Sequence, residues 1–90
     1  MLKRQIEAMP STHGGVSRNN YIITEGNKKK FYSYMSLIAI KQGDEVILDR
    51  YWYKNCSKTT GIYRSKFLGE TKAETIKKVE SGEYKLRKLN

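Results

Sequence analysis

Few side chains in this sequence could carry acid–base or nucleophilic chemistry, and they lie apart. Asp49, Cys56 and the hydroxyls of Thr59 and Thr60 fall in one segment, whereas His13 stands alone near the N-terminus. Catalysis by Asp49 would need a second acid, base or metal ligand nearby. A Cys56–His13 pair would need an element that holds both side chains. The sequence shows no such constellation, so we predict that the protein is not an enzyme.

Metal and cofactor chemistry has no better support. A metal site needs several His, Cys, Asp or Glu ligands at suitable spacing, and this chain has one Cys and one His. We therefore expect neither a metal nor a cofactor. The single Cys56 also excludes an internal disulfide, which agrees with a reducing cytoplasm. We interpret Asp49 as an acceptor that bonds Thr59, Thr60 or nearby backbone N–H groups and joins a strand to a helix start.

The composition points instead to an anionic partner. The 90 residues include 18 Lys and Arg against 9 Asp and Glu, which gives a formal charge of +9. Such an excess attracts nucleic acid, an anionic membrane or an acidic protein surface. No apolar run approaches the ~20 residues of a membrane span, and the basic N-terminus lacks the apolar stretch of a secretory signal. We expect a cytoplasmic protein that binds DNA, RNA or an acidic host protein or nucleoprotein, and no membrane.

The positive charges supply the candidate binding residues. A lysine run at a predicted hairpin tip could contact phosphates, although lysines at such a tip also discourage strand pairing. A second set lies on the predicted helices and the last strand. Tyr51 and Tyr53, which lie between these charges, could stack on bases or pack at the rim of the core, and both interpretations stay open. For Tyr63 we predict that the side chain packs in the core. The predicted binding residues are Lys28, Lys29, Lys30, Arg50, Lys54, Lys58, Arg64, Lys66, Lys77, Lys78 and Arg87.

The strands that would position these residues are predicted from residue periodicity. Residues 1–18 form an arm that is either flexible or contains a short helix over Leu2–Ala8, which Pro10 would close. Residues 19–90 form a single α+β domain. Alternating apolar and polar residues indicate the strands. These cover residues 20–25, 30–35, 37–40 (as a strand or extended chain), 45–51 and 84–88.

Two helices precede the last strand. The first covers about residues 60–68 and ends at Gly69, which suits a left-handed cap because it lacks a Cβ atom. Thr71 and Glu74 form a capping box that starts the second helix, over about residues 71–80. We predict an α+β fold, a small antiparallel sheet of three to five strands with two short helices inserted before the last strand.

Four strings in this chain are distinctive. They are Phe31-x-Ser33-Tyr34-x-x-x-Ile38-Ala39, Leu48-Asp49-Arg50-Tyr51-Trp52, Ser57-x-Thr59-Thr60-x-x-Tyr63-Arg64-x-x-Phe67-Leu68-Gly69 and Gly82-Glu83-Tyr84. Together they resemble a family of small uncharacterised proteins encoded by bacteriophages, prophages and plasmids of Gram-positive bacteria, over residues 17–90. The resemblance implies a mobile-element setting in a bacterial host cell. It transfers no activity and no catalytic residue.

Three functions are consistent with a small basic protein in that setting. The first is non-enzymatic binding of nucleic acid or of a nucleoprotein complex. The alternative is a protein-binding inhibitor of a host defence system, of the anti-CRISPR type. The third is a homodimer that forms through the open edge of the first or last strand.

Overall fold

A single sheet with helices packed on one face forms the fold of residues 4–11 and 14–90, which the computed structural model describes. Neighbouring strands from β1 to β5 are antiparallel, and β6 pairs with β5 in parallel. In chain order the elements are β1 (Arg4–Pro10), β2 (Val16–Glu25), β3 (Lys28–Ser33), β4 (Ser36–Gln42), β5 (Glu45–Asp49), α1 (Trp52–Asn55), α2 (Lys58–Leu68), α3 (Lys72–Glu80) and β6 (Lys85–Arg87).

The predicted fold class is wrong in both the sheet and the helices. We expected an antiparallel sheet of three to five strands and two helices, but the sheet is mixed and six-stranded and three helices precede β6. β6 places Leu86 beside Leu48 of β5 in parallel register. Parallel neighbouring strands need a long crossover connection, and the helices between β5 and β6 supply it. β5 also ends at Asp49, earlier than predicted, and α1 follows it.

Strand β1 occupies the place of the helix expected over Leu2–Ala8, whose residues 2 and 3 lie outside the described part. Residues 4–8 pair with residues 21–25 of β2. Met9 points into the core and is 5% exposed, whereas Ile6 is 66% exposed. The helical spacing of apolar residues was therefore a poor guide at this edge, where backbone hydrogen bonds to β2 determine the conformation.

The edges of the sheet are β1 and β6. The strand predicted over residues 20–25 lies inside β2 and is paired on both sides. A dimer through an edge strand would therefore have to use β1, which ends at Pro10, or β6, which has three residues. Short edges and edge prolines both limit strand addition. The homodimer stays a prediction.

The core lies between the sheet and α2. Phe31, Ala39 and Leu48 are neighbours across β3, β4 and β5, and all three are 0% exposed. The Phe67 ring from α2 stacks on the Phe31 ring at 5.6 Å between centroids. Burial of a side chain such as Phe31 or Leu48 stabilises the fold by about 1.5–3 kcal/mol. Tyr63 of α2 is 3% exposed in the same cluster, which confirms the core interpretation of this tyrosine.

Local signals in the sequence determine the ends of α2 and α3. The Ser57 hydroxyl accepts a hydrogen bond from the Thr60 N–H at 3.1 Å and caps α2. Gly69 ends α2 with a φ of 72°, as predicted. The predicted capping box is present at the start of α3, with Thr71 and Glu74 bonded to each other's backbone N–H groups. Such caps contribute about 1 kcal/mol each.

The turn between β3 and β4 is formed by Tyr34 and Met35, with φ values of 50° and 68°. Two-residue hairpin turns of this kind normally use Asn and Gly, because a Cβ atom is strained at positive φ. The prediction placed both residues in a strand, since neither carries a turn signal. The turn leaves Tyr34 59% exposed and Met35 86% exposed. Exposed apolar side chains at strained positions are more typical of a contact surface than of a fold requirement.

Replacement of this turn by Tyr34→Asn with Met35→Gly should raise the free energy of unfolding by about 1–2 kcal/mol, because strain is relieved at both positions. Urea unfolding followed by circular dichroism measures the change. Gly43→Ala is the opposite control, since Gly43 has a φ of 59° and open space around it. That variant should lose about 1 kcal/mol from backbone strain alone. A double variant less stable than the natural chain would contradict the prediction.

Candidate functional site

Four of the predicted binding lysines lie on the helices and are the cations best placed to contact a partner. Lys54, Lys58, Lys66 and Lys77 are all exposed. None of them forms an ion pair with an acidic residue in the described part of the chain. Lys54 lies over the Tyr53 ring and Lys66 over the Tyr63 ring, each 5.5 Å from the centroid. Contact with a ring leaves the positive charge available to an anion.

Two of the predicted lysines are already paired with carboxylates. Lys30 lies 3.2 Å from Glu25. Lys78 lies 3.2 Å from Glu70 and 3.9 Å from Glu83. The hydrogen bond to Glu70 raises the pKa of Lys78 above its ordinary value. These two lysines therefore add less net positive charge to the surface than their neighbours.

Glu70 is the centre of a polar cluster at the junction of α2 and α3. It accepts hydrogen bonds from the Thr75 hydroxyl at 2.9 Å, from Lys78 and from the Tyr84 hydroxyl. Burial, followed by the hydrogen bond to Glu70, raises the pKa of Tyr84. We interpret the cluster as a connection between α3 and β6 rather than a reactive site.

Arg64 is the predicted binding residue that cannot reach a partner in this structure. It is 0% exposed beneath α1, and its Nη1 donates a hydrogen bond to the Tyr53 carbonyl at 2.8 Å. Its Nε and Nη2 atoms have no hydrogen-bond partner among the described residues. The prediction assigned Arg64 to the surface from residue type alone, but its helix position places it with Thr60 and Phe67 on the buried face of α2.

The remaining candidates lie at opposite ends of the sheet. Lys28 and Lys29 follow the β2–β3 turn, where Lys29 and Lys41 line a depression of about 240 Å³. Arg50 and Arg87 lie at the other end, where β5 and β6 finish side by side. The structure therefore brings the predicted cations together in groups rather than in one stripe.

A cleft of about 520 Å³ opens where β5 ends. It combines aromatic rings, two cations and side-chain amides. Arg50 is one of the predicted binding residues, but Lys88 and the amides are not, because the C-terminal segment reaches this position only through tertiary contacts. The lining residues are Asp49, Arg50, Tyr51, Trp52, Asn55, Lys88 and Asn90.

Asp49 forms the floor of this cleft and is 2% exposed. Its Oδ2 accepts hydrogen bonds from the N–H groups of Tyr51 at 3.1 Å and Trp52 at 3.0 Å. Its Oδ1 accepts from the Leu89 N–H at 2.8 Å and from the Asn90 amide at 3.2 Å. Asp49 thus joins β5 to the start of α1 and to the C-terminal segment. Asp49 was expected to fix the start of the helix at Thr59 and Thr60, and that expectation is wrong. Its N–H donors at a helix start belong to α1, and Ser57 caps α2 instead.

The ionised form of Asp49 is the stable one in this environment. Burial opposes ionisation, but the hydrogen bonds from Trp52, Leu89, Asn90 and Tyr51 outweigh it and lower the pKa of Asp49 below its ordinary value of 3.8. N–H donors that point at a carboxylate stabilise its ionised form. Asp49 is therefore an ionised structural anchor.

No group of three or more His, Cys, Asp or Glu residues within residues 4–11 and 14–90 is arranged to hold a metal ion. Cys56 is half-buried. The pairing of Cys56 with His13 falls outside the described residues, which do not include His13. No helix in the same ranges is long and apolar enough to span a membrane.

Comparison with known proteins identifies a family but no characterised relative. No curated protein and no solved structure matches the chain. A family of unknown function, DUF8033, matches residues 4–83. This range begins in β1 and ends just before β6, so it includes most of the sheet and all three helices. The chain therefore belongs to the DUF8033 family.

Proposed function

We propose that this protein binds nucleic acid without enzymatic activity, through phosphate contacts from its helices. The observation that carries the proposal is a set of exposed lysines with no acidic partner in the described part of the chain. Lysines of this kind bind phosphate oxygens and displace counterions, which gives sequence-independent affinity that falls with salt. The set consists of Lys54, Lys58, Lys66, Lys72 and Lys77.

The acidic residues do little to cancel this charge. Most of them are already engaged within the fold, by ion pairs or by hydrogen bonds to N–H groups. The unpaired lysines therefore dominate the potential of the helical face, and the net charge of +9 adds a long-range attraction for polyanions. The engaged acids are Glu25, Glu45, Glu70 and Glu83 in ion pairs and Asp49 and Glu74 in hydrogen bonds.

A charge-reversal series tests the proposal. Lys58→Glu, Lys66→Glu and Lys77→Glu in one chain should weaken binding to DNA or RNA by about tenfold or more at about 50 mM salt, and should reduce the slope of log K against log salt by about 2–3. Fluorescence anisotropy with labelled duplex DNA, single-stranded DNA and RNA measures both quantities.

The matched control reverses Lys28, Lys29 and Lys41, at the far turns of the sheet. Both triple variants change the net charge by the same six units, so a difference between them reports position and not total charge. The control should lose clearly less affinity than the helical variant. Equal losses of affinity would show that binding depends on the total charge and not on the helical lysines. If the natural chain does not bind nucleic acid at low salt, the proposed function is ruled out.

We also propose a setting for this activity. The resemblance to proteins of phages, prophages and plasmids supports a mobile element as the source of the chain and the cytoplasm of a bacterial host cell as its location. Nucleic acid of the element and of the host would both be accessible there.

A second candidate function is inhibition of a host defence system by binding to one of its proteins, as anti-CRISPR proteins do. The observation in its favour is the strained β3–β4 turn, which exposes Tyr34 and Met35. If this patch binds a protein, the Tyr34→Asn, Met35→Gly variant should restore phage restriction while the nucleic-acid affinity stays unchanged. Identical restriction with and without the natural protein would exclude this candidate.

A further inference from the structure

The cleft at the end of β5 has features that the exposed lysines of the helices lack. It is about 520 Å³ in volume and is lined by Tyr51 and Trp52 together with Arg50 and Lys88. Nonspecific phosphate binding requires positive charge alone. Aromatic rings next to cations are instead the combination found where unpaired bases stack and their phosphates are held.

The electrostatics of the cleft favour an anion. Arg50 and Lys88 are exposed, and neither forms an ion pair with an acidic residue in residues 4–11 and 14–90. Asp49 is the one acidic side chain among the residues that line the cleft, and its two oxygens accept four N–H hydrogen bonds. Two cations against one acidic side chain give these side chains a net positive charge.

The aromatic geometry leaves ring surface free for a planar ligand. Tyr51 is 61% exposed, whereas Trp52 is half-buried against the core. Their rings meet edge to face, at 4.8 Å between centroids and 87° between planes. An edge-to-face contact covers only one face of one ring, so a further ring can stack on this pair.

The floor of the cleft is fixed before any ligand arrives. Asp49 holds the N–H groups of Tyr51 and Trp52, and the Asn90 amide bonds both Asp49 and the backbone of Leu37. The Asn55 amide nitrogen donates to the Tyr51 carbonyl at 2.7 Å. A site held in this way loses little conformational entropy on binding, which favours affinity.

We infer that this cleft binds an unpaired nucleotide of a single-stranded nucleic acid, with the base on the Tyr51–Trp52 pair and the adjacent phosphate on Arg50 and Lys88. A base within a duplex is stacked between its neighbours and is not available to the rings. The cleft would thus make the protein prefer single strands over duplexes. This inference rests on the proposed nucleic-acid binding and specifies the form of nucleic acid that is bound.

Two readouts test the inference. Trp52 is the single tryptophan of the chain, so its fluorescence reports directly on the cleft. A single-stranded oligonucleotide should quench Trp52, and a duplex of the same length should not.

Tyr51→Ala should weaken binding to the single strand by about tenfold, because stacking on an aromatic ring is worth about 1–3 kcal/mol per base. Tyr51→Phe keeps the ring and should bind normally. Arg50→Gln with Lys88→Gln should lower the salt slope by about 2.

Tyr34→Ala is the matched control, since Tyr34 is 59% exposed, close to the 61% of Tyr51, but does not line this cleft. It should leave binding and quenching unchanged. Single-stranded DNA and single-stranded RNA are tested in parallel to show which of the two the cleft binds. A mononucleotide tests whether the cleft binds free nucleotides instead.

The inference is overturned if Tyr51→Ala binds single strands as tightly as the natural chain, or if binding leaves Trp52 unquenched. It is also overturned if a mononucleotide quenches Trp52 while no single strand binds. If the chain binds single strands and duplexes equally and the charge-reversal variant is still impaired, the cleft does not bind an unpaired nucleotide. The proposed function would then remain intact. A chain that binds no nucleic acid would refute both.

Discussion

Asp49→Ala is expected to lower the free energy of unfolding by about 3 kcal/mol or more, which corresponds to a fall in melting temperature of roughly 10–25 °C for a domain of this size. The carboxylate accepts hydrogen bonds from the N–H groups of Tyr51, Trp52 and Leu89 and from the Asn90 amide. Its removal leaves these donors without their partner at a site where the carboxylate is 2% exposed. β5, α1 and the C-terminal segment would all lose their common anchor.

Urea unfolding followed by circular dichroism measures this loss. Asp44→Ala is the matched control, because Asp44 is an exposed aspartate in the β4–β5 turn and should change stability by no more than about 0.5 kcal/mol. Asp49→Asn keeps one acceptor oxygen and should fall between the natural chain and Asp49→Ala. If Asp49→Ala were as stable as Asp44→Ala, the anchoring role would be disproved.

The same residue makes part of the stability depend on pH. The pKa of Asp49 is lower in the folded chain than its ordinary value of 3.8, because hydrogen bonds from Trp52, Leu89, Asn90 and Tyr51 outweigh the effect of burial. As the pH falls, the unfolded chain therefore takes up this proton first. The contribution of Asp49 is fully present above 3.8 and is lost as the pH falls through the lower folded pKa. The stability difference between the natural chain and Asp49→Asn should narrow below about pH 4. A constant difference across this range would contradict the assignment.

Arg64→Met is expected to stabilise the protein by about 1–3 kcal/mol, the reverse of most core substitutions. The Arg64 side chain is 0% exposed, and its Nη1 donates a hydrogen bond to the Tyr53 carbonyl. Its Nε and Nη2 atoms are buried with no partner in the described part of the chain. A buried charge without an acidic partner carries a desolvation penalty that its contacts repay only in part. Methionine has a similar length and can fill the space without that penalty.

Two further variants separate charge from volume at this position. Arg64→Ala should lose about 2–4 kcal/mol, because it removes the charge but leaves a cavity. Arg64→Lys keeps a buried charge, so its free energy of unfolding should not rise above that of the natural chain. Chemical denaturation of all three variants measures the differences. A loss of more than about 2 kcal/mol in Arg64→Met would show that the guanidinium has a stabilising partner, and the prediction would fail.

The part of the fold that could be predicted from the sequence is the part set by short-range interactions. The capping box of α3 forms between residues three positions apart, Thr71 and Glu74, so the residue types suffice to predict it. The start of α2 was predicted at about Thr60, but the helix begins at Lys58, after its Ser57 cap. Gly69 could also be predicted as the end of α2, because the left-handed φ of 72° depends on this residue alone and glycine adopts it without strain. The composition likewise determines the net charge of +9, and with it the attraction to anions.

Long-range contacts decided the rest. β1 is a strand because β2 offers it a ladder of hydrogen bonds, although the apolar spacing is helical. Tyr34 and Met35 turn the chain because β3 and β4 pair on both sides of them, despite the strain of positive φ. Arg64 is buried although arginines are mostly exposed. In the candidate site, Arg50, Tyr51 and Trp52 are adjacent in sequence. Lys88 and Asn90 join them through the pairing of β6 with β5 and through the hydrogen bonds from the C-terminal segment to Asp49 and Leu37. Residue types therefore determined which chemistry the chain could offer, and tertiary hydrogen bonds determined which residues offer it together.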